Sequence, residues 1–384
     1  MKAGWKTGAL ASISEVFTDG NWIESKDQTT DGIRLVQTGN VGEGVFKDRR
    51  DKARWIDEDT FARLNCFEVL PGDCLISRLP DPVGRACLIP DTGDKMITAV
   101  DCSIVRPDET KIDPRLLVYF TQSREYLRDV DERCSGTTRR RISRKNLGKV
   151  PIPLPPLKEQ QRIVAVLDEA FEGLARARAH AEANLQNARE LFESYLANVF
   201  GEGDWQEKTL DQISENLDRV RVPITKSKRV AGDIPYYGAS GVVDHVADYL
   251  FDEDLLLISE DGANLLARTY PIAFSISGKS WVNNHAHVLR FDDPDTQEFV
   301  RLYLNSISLE PYVSGMAQPK LNQKQLNRIP IPFPDNDMRT EIVSRAHAIS
   351  EETQRLERNF EAMLQDLDDL HQSLLQKAFA GKLT

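Results

Sequence analysis

The stretch KVPIPLPPLKEQQRIV, residues 149–164, decides how this chain is built. A proline-rich, extended run passes directly into residues typical of a helix start. The stretch RIPIPFPDNDMRTEIV repeats this junction at residues 328–343, which is 179 positions later. We therefore infer that one chain contains two copies of the same domain-to-helix junction.

Further similar segments, in the same order in both halves, extend the repeat along the chain. Trp5 and Trp205 each begin a segment that contains Ile-Ser-Glu, at an offset of 200 residues. CLISR at 74–78 resembles LLISE at 256–260, and DCSIVRPD at 101–108 resembles HAHVLRFD at 285–292. An internal repeat of this kind predicts the order domain, helix, domain, helix, with a second domain about 21 residues shorter.

The two helical segments give the strongest structural signal. From Lys158 to Phe200 the chain has one glycine and no proline, and apolar residues recur with the 3–4 spacing of a coiled coil. A second stripe begins at Ile342 and extends towards Phe379. One long helix cannot bury such a stripe alone, so the simplest partner is its own repeat, packed antiparallel.

This pattern predicts an α+β fold with approximate two-fold symmetry. Two mixed α/β domains, residues 1–150 and 205–330, are separated by an antiparallel pair of long coiled-coil helices. The helical regions cover residues 151–204 and 331–384. Short β-rich runs between glycine, proline and aspartate punctuation indicate the strands of each domain.

Charge and cysteine content exclude several classes of protein. The net charge is −11, but residues 1–150 hold 25 Lys and Arg against 24 Asp and Glu. Local basic clusters matter more than the total, because salt screens charges beyond about 10 Å. Neither a transmembrane run nor a signal peptide is visible, and five irregularly spaced cysteines are typical of reduced thiols. We expect a cytoplasmic protein without a membrane partner.

Catalytic motifs are absent or incomplete. The sequence has neither a phosphate-binding P-loop nor the D/N-P-P motif of amino-methyltransferases. Asp91, Glu109 and Lys111 fit a nuclease spacing, but RPDETKID is a polar turn rather than a strand. His285 and His287 could share one face of a strand, yet a complete metal-ligand set is missing. We predict no catalytic residue and no metal site in this chain.

Basic and polar residues cluster just before each predicted long helix. Arg binds phosphate in a bidentate manner, and Thr, Ser and Asn add neutral donors. Each cluster alone could be a solvated loop, but the repeated placement favours DNA contact. The candidates are Thr138, Arg139, Arg140, Arg141, Arg144 and Lys145 in the first copy, Lys320, Asn322 and Lys324 in the second, and a separate cluster of Arg221, Lys226, Lys228 and Arg229.

Together these junctions resemble the specificity (S) subunit of type I restriction-modification systems. The matching pieces are an I-P-x-P run, E-Q-x-x-I-V at the start of a long helix, and a closing S-x-L-x-x-x-F-x-G. The second copy departs at residues 335–339, where DNDMR replaces the usual helix opening. That departure leaves the start of the second helix open.

The resemblance implies that each domain is a target-recognition domain reading one half of a split DNA sequence. Two methylation subunits would dock on the helices, whose limits are marked by Lys158, Phe200, Ile342 and Phe379. Restriction subunits would join the full complex, and S-adenosylmethionine, ATP and magnesium would bind to these partners. This chain would bind double-stranded DNA without a cofactor of its own.

Base reading requires polar side chains on loops of the two domains. We expect the loops at 77–85 and 283–285 to supply them, with Arg78, Asn283 and Asn284 as candidates. The rival interpretation is a coiled-coil adaptor whose end domains bind proteins. A stand-alone nuclease would instead require metal-dependent cleavage by this chain alone.

Overall fold

A computed structural model describes residues 4–136, 140–203, 205–315 and 318–383. The chain divides into two compact units. The first unit comprises Met1–Ala181 with Met363–Thr384, and the second comprises Glu182–Ala362. Both long helices contribute residues to both units, so the unit limits differ from the predicted segment limits, which stay predictions.

Within its described residues, the first unit combines nine strands and four short α-helices with parts of the two long ones. The strands are β1 (Lys6–Ala9), β2 (Ser14–Asp19), β3 (Ile33–Val36), β4 (Arg54–Ile56), β5 (Cys74–Ser77), β6 (Ala86–Leu88), β7 (Met96–Thr98), β8 (Cys102–Pro107) and β9 (Pro151–Leu154). The short helices are α1 (Glu58–Arg63), α2 (Pro114–Thr121), α3 (Arg124–Glu132) and α4 (Arg144–Leu147). Strands β2-β8-β5-β6 form an antiparallel sheet, and β4-β3-β7 form a mixed one.

The second unit repeats this plan. Its strands are β10 (Glu207–Lys208), β11 (Glu215–Asn216), β12 (Ile234–Gly238), β13 (Gly241–Val246), β14 (Phe251–Asp252), β15 (Leu255–Ser259), β16 (Ala273–Ile276), β17 (Lys279–Val282), β18 (Ala286–Arg290) and β19 (Ile331–Pro332). Its short helices are α6 (Leu210–Ile213), α7 (Asn264–Ala267), α8 (Pro294–Ser306) and α9 (Gln323–Leu326). The sheets are ordered β11-β18-β15-β16 and β13-β12-β17-β14.

The long helices are α5 (Leu157–Glu202) and α10 (Asn336–Phe379). In the first unit, Phe171 stacks on His371 with ring centroids 4.1 Å apart, and Arg178 pairs with Asp368. In the second unit, Arg189 lies 3.2 Å from Glu361 and the Tyr195 hydroxyl donates to the Ile342 carbonyl. The helices are therefore antiparallel within each unit, which confirms the predicted α+β class with its paired long helices. Among the described helices, none has the length and apolar character that crossing a membrane demands.

Each proline-rich junction forms a short strand paired with the beginning of its own domain. Strand β9 pairs with β1, and β19 pairs with β10 in the same antiparallel manner. Trp5 extends the first junction by donating to the Glu159 carboxylate. The junction is thus a clasp that joins both ends of a domain where its long helix begins.

Gln160 locks the first junction from inside. Its side chain is fully buried, accepts from the Asp113 amide at 2.8 Å, and donates to the carbonyls of Lys111 and Pro155. Arg339 occupies the equivalent position in the second copy and donates to the Pro334 carbonyl at 2.6 Å. The DNDMR segment therefore supplies the same kind of contact with a different side chain.

Asp335 resolves the start of the second long helix. Its carboxylate accepts from the Met338 amide at 2.9 Å, and its carbonyl accepts from the Arg339 amide at 3.1 Å. An aspartate in this position satisfies amides that a helix start leaves free. The helix consequently begins at Asn336, inside the segment that departs from the family pattern.

Candidate nucleic-acid interface

A short bridged loop precedes α4 and the first junction. Ser135 and Arg141 exchange two backbone hydrogen bonds of 2.9 and 3.0 Å, which close the loop at its base. The buried Ile142 anchors it, and the Ser143 hydroxyl accepts from the Asn146 amide as the cap of α4. Of the candidates in this loop, Thr138 and Arg139 lie outside the described residues.

The other candidates of this loop lie beside acidic groups. Arg140 pairs with Asp131 and Arg141 with Asp101, each at 2.8 Å, while both guanidinium groups keep about half of their surface exposed. Arg144 lies 3.9 Å from Asp19, and Lys145 is exposed. Exposed ion pairs of this kind are weak, so the cations remain available to phosphate.

Arg78 is placed differently from these exposed cations. Only 5% of its surface is exposed, and its guanidinium donates to the Val100 carbonyl and faces Asp19 at 3.5 Å. Burial lowers the pKa of Arg78 from its usual value. In this arrangement the side chain braces the end of β5, and its predicted base contact stays a prediction.

Arg85 organises the loop at 77–85 that sequence reasoning proposed for base reading. Its guanidinium donates to four carbonyl oxygens, those of Thr38, Val41, Leu79 and Pro82. One side chain thereby fixes the loop and joins it to the segment before residue 42. Loop positioning by such an internal arginine leaves no periodic signal in a sequence.

Sequence reasoning missed a second basic surface in the first unit. Five of the eight residues at 47–54 are cationic, and all five are exposed. Arg50 forms an ion pair with Asp94 at 2.7 Å, and the buried Arg34 forms one with Asp48. The run KDRRDKAR carried the signal, but the interleaved aspartates reduced its apparent charge.

The second unit has a bridged loop at the equivalent place. Ser314 and Lys320 exchange backbone hydrogen bonds of 2.9 and 2.8 Å, as Ser135 and Arg141 do. Asn322 caps α9 by accepting from the Gln325 amide, in the role that Ser143 has in the first unit. The structure thus groups the candidates Lys320, Asn322 and Lys324 on one half-exposed turn.

The cluster at 219–229 does not form one uniform basic patch. Arg221 is largely buried and bonds to Glu260 at 2.7 Å. Arg229 pairs with Asp244 at 2.8 Å and lies over the Tyr236 ring. Lys226 and Lys228 are exposed. The two lysines therefore offer charge to solvent, while Arg221 and Arg229 brace the domain.

The loop at 283–285 contains one inward and two outward side chains. Asn283 is buried, and its carboxamide oxygen accepts from the His285 amide at 2.8 Å. Asn284 is exposed, and the His285 ring lies 2.8 Å from Asp261. Asn283 consequently shapes the loop, and Asn284 faces outward beside it.

A largely buried ionic network contacts the bridged loop of the second unit. Asp218, Glu260 and His287 place one donor atom each within 4.8 Å of the others. Burial alone would raise the pKa of both carboxylates. For Asp218 the hydrogen bond to His287 outweighs burial, and for Glu260 the bond to Arg221 does so, which leaves both pKa values lowered. Lys320 also contacts Glu260, at 3.2 Å. With Arg221 and Lys320 already in place, these residues fit an ion-pair network better than a metal site.

The residues chosen to mark the docking helices differ in exposure. Lys158 is exposed at the start of α5. Phe379 packs on Phe120 in the core of the first unit, and Phe200 and Ile342 lie in the second. Other apolar side chains of the two helices are exposed instead: Leu157, Val166, Leu191, Met338, Met363 and Leu370.

Comparison with known proteins agrees with this organisation. The family model described as Type I restriction modification DNA specificity domain matches residues 2–180 and 202–365. A putative type I restriction enzyme specificity subunit from Haemophilus influenzae is 35% identical over 166 residues, which is 43% of this chain and 42% of that protein. The matched region thus spans less than half of that relative.

Two solved structures share the fold. A chain from a study of complex assembly and conformational transition of the type I R-M system has a TM-score of 0.76 at 18% identity, covering 100% of this chain and 99% of that one. The HsdS subunit from Thermoanaerobacter tengcongensis has a TM-score of 0.61 at 19% identity, covering 100% and 98%. The family match covers most of the sequence, and both proline-rich junctions lie within it. This chain belongs to the type I restriction-modification DNA specificity family.

Proposed function

We propose that this chain is the DNA-recognition subunit of a type I restriction-modification complex and that each unit reads one half of a bipartite target. The observation that carries the proposal is the bridged loop closed by Ser135 and Arg141 in one unit and by Ser314 and Lys320 in the other. Both loops combine exposed cations with the capped start of a short helix that precedes the junction strand and the long helix.

Positioning and reading are assigned to different side chains in this proposal. Arg140, Arg141, Arg144 and the 47–54 segment contact phosphates, because exposed guanidinium and ammonium groups release counterions on binding DNA. Polar groups on loops such as 283–285 approach base edges, where hydrogen bonds carry sequence information. The loop cores held by Arg85 and Asn283 keep these contacts in register.

The family and the helix surfaces support the partners proposed here. Two methylation subunits dock on α5 and α10, whose exposed leucine and methionine side chains support such contacts. Restriction subunits complete the assembly in the cytoplasm, where reducing conditions keep all five thiols free. S-adenosylmethionine, ATP and magnesium belong to these partners, and this chain itself carries no catalytic group.

The adaptor interpretation is not favoured, because the matching family model describes a DNA specificity domain. The two functions differ in one measurable property. An adaptor binds proteins through its end domains and leaves DNA methylation unchanged, whereas a specificity subunit dictates which sequence its partners methylate.

Co-expression with the methylation subunits, followed by methylome sequencing, tests the proposal. We expect one split motif to be methylated, and replacement of residues 1–150 by the corresponding domain of another specificity subunit to change only one half of it. A complex that methylates without sequence preference would refute DNA recognition. A change in both halves would refute the assignment of one half to each unit.

A further inference from the structure

The His287 side chain is buried and makes two polar contacts, one through each ring nitrogen. Only 1% of its surface is exposed, within strand β18. Its Nδ1 atom lies 2.6 Å from Asp218 Oδ2, and its Nε2 atom lies 2.8 Å from the carbonyl oxygen of Leu321. The ring therefore connects the segment that follows β11 with the bridged loop of the second unit.

Both of these partners are acceptors. A backbone carbonyl cannot donate, so Nε2 must carry a proton to bond with Leu321. Asp218 also accepts from the Val288 amide through its other oxygen, and its lowered pKa keeps it ionised. Nδ1 must consequently carry a proton as well, and the hydrogen-bond pattern is that of an imidazolium.

Leu321 is the buried anchor of the 318–322 loop. Its side chain is fully buried, and its amide donates to the Glu260 carbonyl at 2.8 Å. The neighbouring Lys320 and Asn322 are the exposed and half-exposed candidates for DNA contact. A change at the His287 ring thus reaches that surface through a single peptide group.

The first unit lacks this ring at the equivalent position. Ser103 lies one residue after the start of β8, as His287 does in β18, and its hydroxyl bonds to Asp19 at 2.8 Å. Ile142, the counterpart of Leu321, is anchored through its amide by the Arg78 carbonyl. The two repeats therefore hold the same loop, and the second adds an imidazole clamp.

We propose that His287 is a positioning residue for DNA binding by the second unit, where its doubly protonated ring clamps the 318–322 loop onto Asp218. This inference rests on the proposed function, because the clamped loop is the one assigned to DNA contact. Without the proton on Nε2, the ring loses its bond to the Leu321 carbonyl and the loop is released. Without the proton on Nδ1, the ring loses its bond to Asp218.

Charged groups surround the ring from each neighbouring segment. Asp218 lies in the turn that follows β11, and Arg221 contacts both that aspartate and Glu260. Glu260 follows β15 at 3.9 Å from Nδ1, and Lys320 reaches it from the clamped loop. His285 pairs separately with Asp261.

Two isosteric variants separate the two ring contacts. In His287→Gln the side-chain amide nitrogen can occupy the Nε2 position and still donate to Leu321. In His287→Asn it can occupy the Nδ1 position and bond to Asp218, but it leaves the loop unclamped. His245→Gln, at an exposed histidine of β13, is the matched control.

The assay uses the complete complex with methylation subunits and labelled duplexes carrying the motif found by methylome sequencing. Duplexes with one scrambled half-site report each unit separately. We expect His287→Asn to weaken binding that depends on the second unit's half-site about tenfold, and His287→Gln to retain affinity within about threefold. Hydrogen exchange of the 314–326 peptide should accelerate only in His287→Asn.

Rescue by the conservative variant supplies the readout that a purely structural role would not give. His287→Gln keeps the bond to Leu321 and should restore wild-type exchange of the 314–326 peptide, whereas His287→Asn should not. Equal losses in both variants would overturn the clamp. Zinc-dependent binding that both variants lose would overturn it in favour of a metal site. Absence of any sequence-selective binding by the wild type would instead refute the proposed function.

Discussion

Gln160→Met should loosen the clasp between the first domain and its helix. Methionine has nearly the same shape as glutamine, so the change removes hydrogen bonds without opening a large cavity. Three bonds disappear, one from the Asp113 amide and two to the carbonyls of Lys111 and Pro155. At about 1 kcal/mol for each bond, the free energy of unfolding of the first unit should fall by about 3 kcal/mol.

Urea unfolding followed by pulsed hydrogen exchange measures this loss for the first unit alone. With a slope of about 3 kcal/mol per molar urea, the midpoint for peptides spanning residues 105–170 should fall by about 1 M. Gln161→Met is the matched control, because the neighbouring glutamine is exposed. A midpoint for Gln160→Met within about 0.2 M of that control would refute the reasoning, since buried bonds would then contribute nothing net.

Three further predictions concern charge and titration. The double variant Arg140→Gln, Arg141→Gln should weaken DNA binding for all sequences and reduce its salt dependence by about two counterions. A gel shift at several salt concentrations measures this. An unchanged slope of log affinity against log salt concentration would remove the loop from the interface. Burial raises the pKa of Cys87 to about 12 and of Cys102 to about 11, so neither thiol should react with iodoacetamide in the folded protein at pH 8, as mass spectrometry can check. Bonds to His287 outweigh burial and lower the pKa of Asp218. The ionised carboxylate therefore stabilises the folded state above about pH 4, and this stabilisation is lost as the pH falls. The free energy of unfolding of Asp218→Asn should consequently depend less on pH in acid than that of the wild type.

The large-scale organisation could be predicted because it leaves periodic and repeated signals. A 3–4 apolar stripe predicted both long helices, and the repeated proline run located the two junctions. The second helix start was left open because DNDMR lacks the Glu-Gln pair of the first junction. Arg339 makes the equivalent bond to Pro334, and a sequence gives no indication that arginine and glutamine can exchange such a role.

The candidate interface was predictable in position but not in detail. A run of cations identified the bridged loop before the first long helix, and polar donors with two lysines identified the second. The exposure of these side chains depends on tertiary neighbours that the sequence does not specify. Arg221 and Lys226 lie in one short cluster, but Arg221 is enclosed by Glu260 whereas Lys226 faces solvent. His287 was considered only as a metal ligand, because its two acceptors lie 69 and 34 residues away in the sequence.

The two repeats keep the same backbone bonds while they exchange the sign of a buried charge. Arg78 and Glu260 each donate their amide to the residue that precedes β8 or β18 and accept from the buried anchor of the bridged loop. Arg78 faces the carboxylate of Asp19, whereas Glu260 is surrounded by Arg221, Lys320 and His287. A buried charge is tolerated only with compensating partners, so its sign could change only together with its neighbours. Replacing Glu260 by Arg alone should therefore destabilise the second unit by several kcal/mol, since it would add a cation to a cluster that already contains Arg221, Lys320 and His287.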